Sequence, residues 1–298
     1  MKSSLDCIPC FVGQGLKVAR LATTDEQVHE QVLREVLLRA SRADLAQPPA
    51  QFGRWIHRLV RGLTGQADPY LAIKQQSNRL ALELLPGWRE RLRAMENPRM
   101  AAVKLAIAAN VIDFGIKGDL TPGRIPDALA KSFEAPLDGD IEEFFTAADQ
   151  AADILYLADN AGELVFDRLL LEALPREKIT VVVKGGPAIN DAMLEDARVA
   201  ALEGMVALMD NGCDGAGTVL EACRTEFRRR FDHADMIIAK GQANFESLDS
   251  CGKNIFFLFM VKCPVVGRHI GRDMGRLVLH RNVPANHTGT TSRKDDQP

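Results

Sequence analysis

The chain has 298 residues, more than the roughly 100–200 typical of one domain, so two domains are expected. Its net charge of −3 excludes a general electrostatic pull toward nucleic acid or anionic membrane. No apolar run approaches the ~20 residues needed to span a bilayer, and MKSSLDCIPC lacks the apolar core of a secretory signal, so a cytoplasmic protein with six reduced cysteines is expected.

Residues 1–150 read as an all-helical domain. Val12 to Ala22 and Glu26 to Arg42 carry apolar residues at three- and four-residue spacing, with Thr24 and Gln27 as a candidate capping box. Phe52 to Gly62 offers a short helix, and a longer one opens at Asp68-Pro69-Tyr70 and is expected to end at Pro86-Gly87. Met100 to Phe114 is rich in Ala, Ile and Val, the composition of a helix buried on most sides. Asn110 and Asp113 stand out in it, because buried polar groups need partners. Leu120 to Asp140 reads as a connector, and Ile141 to Ala152 as one more helix.

From Ile154 the texture changes. Ile154–Ala158, Ile179–Val183, Val206–Met209, Met236–Ala239 and Ile255–Val261 are short apolar runs separated by helical patterns. That alternation predicts a mainly parallel sheet in a doubly wound α/β domain over residues 151–282. The tail, residues 283–298, is polar, lacks apolar periodicity and is expected to be disordered.

In a parallel sheet, whatever follows each strand's C-terminal end shares one edge. Asp159 and Asn160 follow the first strand, and Asp191 lies beyond the second. Two carboxylates and an amide oxygen make a hard-oxygen site suited to Mg²⁺ or Mn²⁺. Taken singly, an Asp after a strand is more often a helix cap; the coincidence of positions favours a site. Asp214 follows the third strand and Lys262 ends the fifth, so metal and lysine together would attract a phosphate. Helix starts after Asn160 and near Gly215 add backbone N–H groups, and Gly162 permits close approach.

No G-x-G-x-x-G follows the first strand and no Walker-A run occurs, which argues against dinucleotide and nucleotide-triphosphate folds. Cys7-Ile-Pro-Cys10 is a lone C-x-x-C, open to packing, metal or redox readings. The six histidines show no ligand-pair spacing.

The ordered set Asp6-Cys-Ile-Pro-Cys10, Asp68-Pro-Tyr70, Asn110-Val-Ile-Asp113, Asp159-Asn-Ala-Gly-Glu163, Lys184-Gly-Gly-Pro-Ala-Ile-Asn-Asp191, Ala239-Lys-Gly-Gln-Ala-Asn-Phe-Glu246 and Lys262-Cys-Pro264 resembles the metal-dependent damage-control phosphatases, in their prokaryotic branch with an N-terminal C-x-x-C. The resemblance spans nearly the whole chain. It departs at Ala243, where relatives carry glycine.

The resemblance implies a helical domain on a Rossmann-like three-layer αβα domain. It implies a divalent metal (Mg²⁺, Mn²⁺, Co²⁺ or Ni²⁺) on Asp159, Asn160 and Asp191, and a phosphate grip by Lys262. The expected reaction is hydrolysis of small phosphorylated metabolites, such as sugar phosphates or damaged cofactor precursors, by metal-activated water that Glu163 or Asp191 orients. Gly162, Asn110, Asp113 and Asp214 are expected at the substrate. The alternatives are a carboxyl methyltransferase using S-adenosylmethionine and a non-catalytic phosphometabolite or nucleotide sensor.

Overall fold

The computed structural model describes residues 1–112 and 124–283. Asp113 and residues 284–298 of the tail lie outside them. Helices α1 (Cys7–Ala22), α2 (Glu26–Ala40) and α3 (Pro49–Thr64) pack around their own core of Phe11, Val18, Val32, Val36, Ile56 and Val60. The residue that caps α2 is Asp25, whose carboxylate accepts from Gln27 N at 2.9 Å, not Thr24.

Next comes α4 (Leu71–Arg93), which continues through Pro86 instead of stopping there. Leu85, Trp88 and Leu92 share one buried face, and burying that stripe outweighs the backbone hydrogen bond a proline forfeits. Asn97 caps α5 (Pro98–Ala108) by accepting from Met100 N at 2.9 Å, and a 3₁₀ turn, Ala109–Val111, carries Asn110. Helix α6 (Ile125–Glu134), strand β1 (Leu137–Asp138) and helix α7 (Ile141–Gln150) follow.

The α/β region is β2 (Ile154–Leu157), α8 (Ala161–Leu171), β3 (Ile179–Val183), α9 (Leu194–Val199), β4 (Ala207–Asp210), α10 (Thr225–His233), β5 (Met236–Lys240), α11 (Gln242–Leu248), β6 (Ile255–Met260), α12 (Pro264–Ile270) and β7 (Leu277–Asn282). All seven strands form one sheet, ordered β1-β7-β6-β5-β2-β3-β4. From β4 to β6 the neighbours are parallel; β7 runs antiparallel to β6 and pairs in parallel with β1.

Central strands alternate between two cores. Along β6, Phe256, Leu258 and Met260 join one and Ile255, Phe257 and Phe259 the other, which makes three layers. The first core runs continuously from Ala81 on α4, through α5, α6 and α7, to Leu279 on β7. The chain's apolar core therefore crosses residue 150, and α4–α7 form a layer of the α/β body instead of part of a separate helical domain. Only α1–α3 keep a core of their own.

Chain order reverses between β2 and β5: from β2 the sheet grows through β3 and β4 on one side, and through β5 and β6 on the other. The crevice at such a reversal, at the strands' C-terminal ends, is where open α/β sheets bind ligands.

Candidate metal and phosphate site

Asp159 and Asn160 leave β2 at that reversal. Asp191 reaches them because the chain folds back after β3: Ala192 N donates to Asp159 O at 2.8 Å, Ala161 N donates to Asn190 O at 3.0 Å, and Asn160 and Asp191 form an isolated bridge. The return passes through Ile189, a β-branched residue at φ 48°, a strained conformation of the kind that gathers at functional sites. The structure thus brings Asp159, Asn160 and Asp191 together, all buried.

Amides knit the carboxylates. Asn110 Nδ2 donates to Asp159 Oδ2 at 2.8 Å and to Glu163 Oε2 at 2.6 Å, and Asn160 Nδ2 donates to the same two oxygens at 2.8 and 3.0 Å. Asn190 Nδ2 fixes the Asn160 amide by donating to its Oδ1 at 2.8 Å. The Asn110 Oδ1 atom is buried and accepts no hydrogen bond from the described residues.

Two lysines enter this group. Lys240, at the end of β5, is fully buried; it pairs with Glu163 at 2.6 Å and Asp167 at 2.5 Å and donates to Ala106 O. Burial alone would depress its pKa, but Asp167 and Glu163 outweigh that and hold the ammonium above its ordinary value. Burial pushes the Asp167 carboxyl up to about 7; Lys240 opposes the rise and Glu163 adds to it. Lys184, just past β3, lies 3.4 Å from Asp191 and donates to Gly217 O. Four buried carboxylates (Asp159, Glu163, Asp167 and Asp191) are therefore gathered with two ammonium groups.

Two glycines permit this packing. A Cβ on Gly241 would overlap the Asp159 carboxylate, and its φ of 81° disfavours any side chain. A Cβ on Gly162 would stand 2.9 Å from Ser77 O, so α4 lies directly against the start of α8. Gly162 thus has a packing role at the site's edge.

Lys262 sits beyond β6 on the same edge, its N–H donating to Gln242 Oε1 at 3.0 Å. Gln242 adjoins Gly241, which ties the Lys262 peptide to the Asp159 loop. Asp214, expected at the substrate, is held otherwise: Arg54, Arg58 and Arg61 of α3 reach its carboxylate at 2.6, 2.7 and 2.6 Å. Burial would raise its pKa, but hydrogen bonds from Arg58 and Arg54 outweigh it and hold the carboxyl well below the usual range. This carboxylate fastens α1–α3 to the sheet. Asp113 lies outside the described residues.

Lys240 and Asp167 were not singled out as site residues by sequence. A signal existed: Glu163 and Asp167 are like charges four apart on an apolar helix, which demands a buried cation, and a lysine ends the otherwise apolar Met236–Lys240 run.

Residues 3–278 match the model of the damage-control phosphatase ARMT1-like domain. The chain belongs to this family. It is 35% identical to a damage-control phosphatase of Archaeoglobus fulgidus, over 93% of this chain and 98% of that one. It is 33% identical to a damage-control phosphatase of Pyrococcus horikoshii, over 95% and 99%. An uncharacterised protein of Methanocaldococcus jannaschii is 34% identical over 94% and 95%. The crystal structure of a DUF89 family protein from Pyrococcus horikoshii superposes with a TM-score of 0.83 at 32% identity, covering 95% of this chain and 99% of that one. The mixed α/β fold with its mostly parallel sheet is thus the fold of this family. No helix among the described residues is long and apolar enough to cross a membrane.

Proposed function

We propose that this protein is a metal-dependent phosphomonoesterase acting on small phosphorylated metabolites. The observation that carries the proposal is the meeting of Asp159, Asn160 and Asp191 at the sheet's reversal point, inside an acid-rich buried group. The names of the relatives support the same reading.

The residues fit a hard divalent cation. No group of three His, Cys, Asp or Glu side chains among the described residues is arranged to hold a metal, so a cation here would need the Asn160 amide oxygen beside Asp159 and Asp191. Carboxylate and amide oxygens are the donors Mg²⁺ and Mn²⁺ prefer, and the cation's charge would offset the excess of buried carboxylates over lysines. The buried Asn110 Oδ1 offers a further acceptor to a water or ligand in the crevice. Such a cation supplies Lewis acidity to a phosphoryl group and lowers the pKa of water.

The chain's own residues do the rest. Lys262 and the start of α8 stabilise negative charge on the phosphoryl oxygens. Both oxygens of Glu163 are engaged, by Lys240 and by the Asn110 and Asn160 amides, so Glu163 orients the amides.

The test is p-nitrophenyl phosphate hydrolysis by metal-stripped protein with Mg²⁺, Mn²⁺, Co²⁺ or Ni²⁺ restored. Turnover should return with at least one cation and fall by about 10³-fold in Asp159→Ala and Asp191→Ala. Turnover near the wild-type rate in either variant sinks the assignment. A phosphometabolite panel on the metal-replete protein would then name the substrate.

A further inference from the structure

The C-x-x-C pair that the sequence left without a partner has one in the fold. A cavity of about 240 Å³ lies at the C-terminal edge of the sheet beneath α1 and α3, lined by Cys7, Cys10, Cys263, Ile189, Gly53 and Gln242. Cys7 opens α1 and Cys10 is one turn on, so both face the same side; Cys263 caps α12, immediately after Lys262. The two elements are fastened there, since Arg268 of α12 pairs with Asp6 at 2.5 Å.

We infer that Cys10 and Cys263 are an oxidisable thiol pair whose disulfide ties α1 to the strand end that carries Lys262. Access and position together single them out, since Cys251 is also partly exposed but does not line this cavity. Cys10 is exposed and Cys263 partly so, whereas Cys7 is buried with its sulfur accepting from Ser4 N at 3.4 Å. Cys213 and Cys223 are both buried. Partial burial, then the neighbouring Cys263 and Cys7, hold the Cys10 thiol above its ordinary pKa, so its oxidation quickens as pH rises. Among the described residues the three thiols do not form an arrangement that holds a metal, and the exposure of Cys10 sets it apart from a packing residue.

The oxidant is a peroxide. The Cys10 thiolate attacks one peroxide oxygen, breaking the O–O bond to give a sulfenic acid and hydroxide. The Cys263 sulfur then displaces hydroxide from the Cys10 sulfur and forms the S–S bond. The two thiol protons end in water: two thiols and one hydrogen peroxide give one disulfide and two waters. The cross-link shifts the Lys262 peptide, which Gln242 links to the Asp159 loop, and so slows turnover. That effect rests on the phosphatase reading; the cross-link itself does not.

The experiment treats the full chain with hydrogen peroxide, alkylates the remaining thiols and maps peptides without reduction. A Cys10–Cys263 peptide is expected, absent from Cys10→Ser and Cys263→Ser and lost with dithiothreitol. Hydrolysis of p-nitrophenyl phosphate should fall several-fold and recover on reduction, while Cys10→Ser stays insensitive. A link confined to Cys7–Cys10 or Cys213–Cys223, or sulfinic acid at Cys10 without any link, overturns the pair. A Cys10–Cys263 link that leaves turnover unchanged overturns its effect on Lys262. Absence of turnover in the reduced wild-type protein counts against the phosphatase reading and leaves the peptide map decisive.

Discussion

Two charged groups stand at the same edge of the sheet and are built in opposite ways. Around β2 and β5, four buried carboxylates share two lysines. Beside β4, one carboxylate, Asp214, is shared by three arginines of α3, of which Arg58 is half exposed. Buried ions cost several kcal/mol each unless matched, so an acid-rich interior is costly unless something cationic joins it. In the base-rich clasp the excess charge is cationic, and the half-exposed Arg58 keeps its contact with water. The first arrangement suits a cation-dependent reaction centre and the second a tether, although both began as an aspartate after a strand.

Several substitutions would break or sharpen that contrast. The largest effect belongs to the acid-rich side: Asp159→Ala should lower phosphomonoester turnover by about 10³-fold, the equivalent of roughly 4 kcal/mol of transition-state stabilisation. Asp214→Ala should leave most turnover intact while loosening α1–α3; an equal loss in both would erase the distinction. Lys240→Met strands Glu163 and Asp167 without their cation and should cost about 3–5 kcal/mol in urea unfolding.

The two sides should also answer pH with opposite signs. The Asp214 carboxyl is held low in the fold, so its contribution is present above the unfolded value of about 3.9 and is lost as pH falls below it. The Asp167 carboxyl is raised to about 7, so its contribution is present below the unfolded value and is lost as pH rises through about 7. Unfolding of metal-stripped protein across pH should show Asp214→Asn flattening the acid limb and Asp167→Asn the neutral one.

Smaller effects follow. Gly162→Ala drives a methyl against the Ser77 backbone and should cost about 1–3 kcal/mol in the denaturation midpoint. Arg58→Ala, at a half-exposed position with two arginines remaining on Asp214, should cost about 1 kcal/mol or less.

The sequence shows the acid-rich site more fully than the tether. Asp159, Asn160 and Asp191 are legible because strand ends in a parallel sheet share an edge, even though the fold-back that seats Asp191 against Asn160 depends on the strained turn at Ile189. The partners of Asp214 are not legible. Arg54, Arg58 and Arg61 repeat along one face of α3, yet nothing local says that this face meets a loop about 150 residues away. The same limit hides β1 and β7. Strand β1 has two residues, and the apolar run of β7 stops after Leu279, too short for either to announce a strand. The shared core was obscured because an Ala-rich helix buried under a sheet and one buried in a helical domain share the same periodicity.

The central claim is that Asp159 and Asp191 hold a divalent cation, and calorimetric titration of Mn²⁺ into metal-stripped protein tests it most directly. One site per chain is expected, with affinity weakened at least ~100-fold, about 2.7 kcal/mol, in both Asp159→Asn and Asp191→Asn. Unchanged Mn²⁺ binding in those variants would contradict the account.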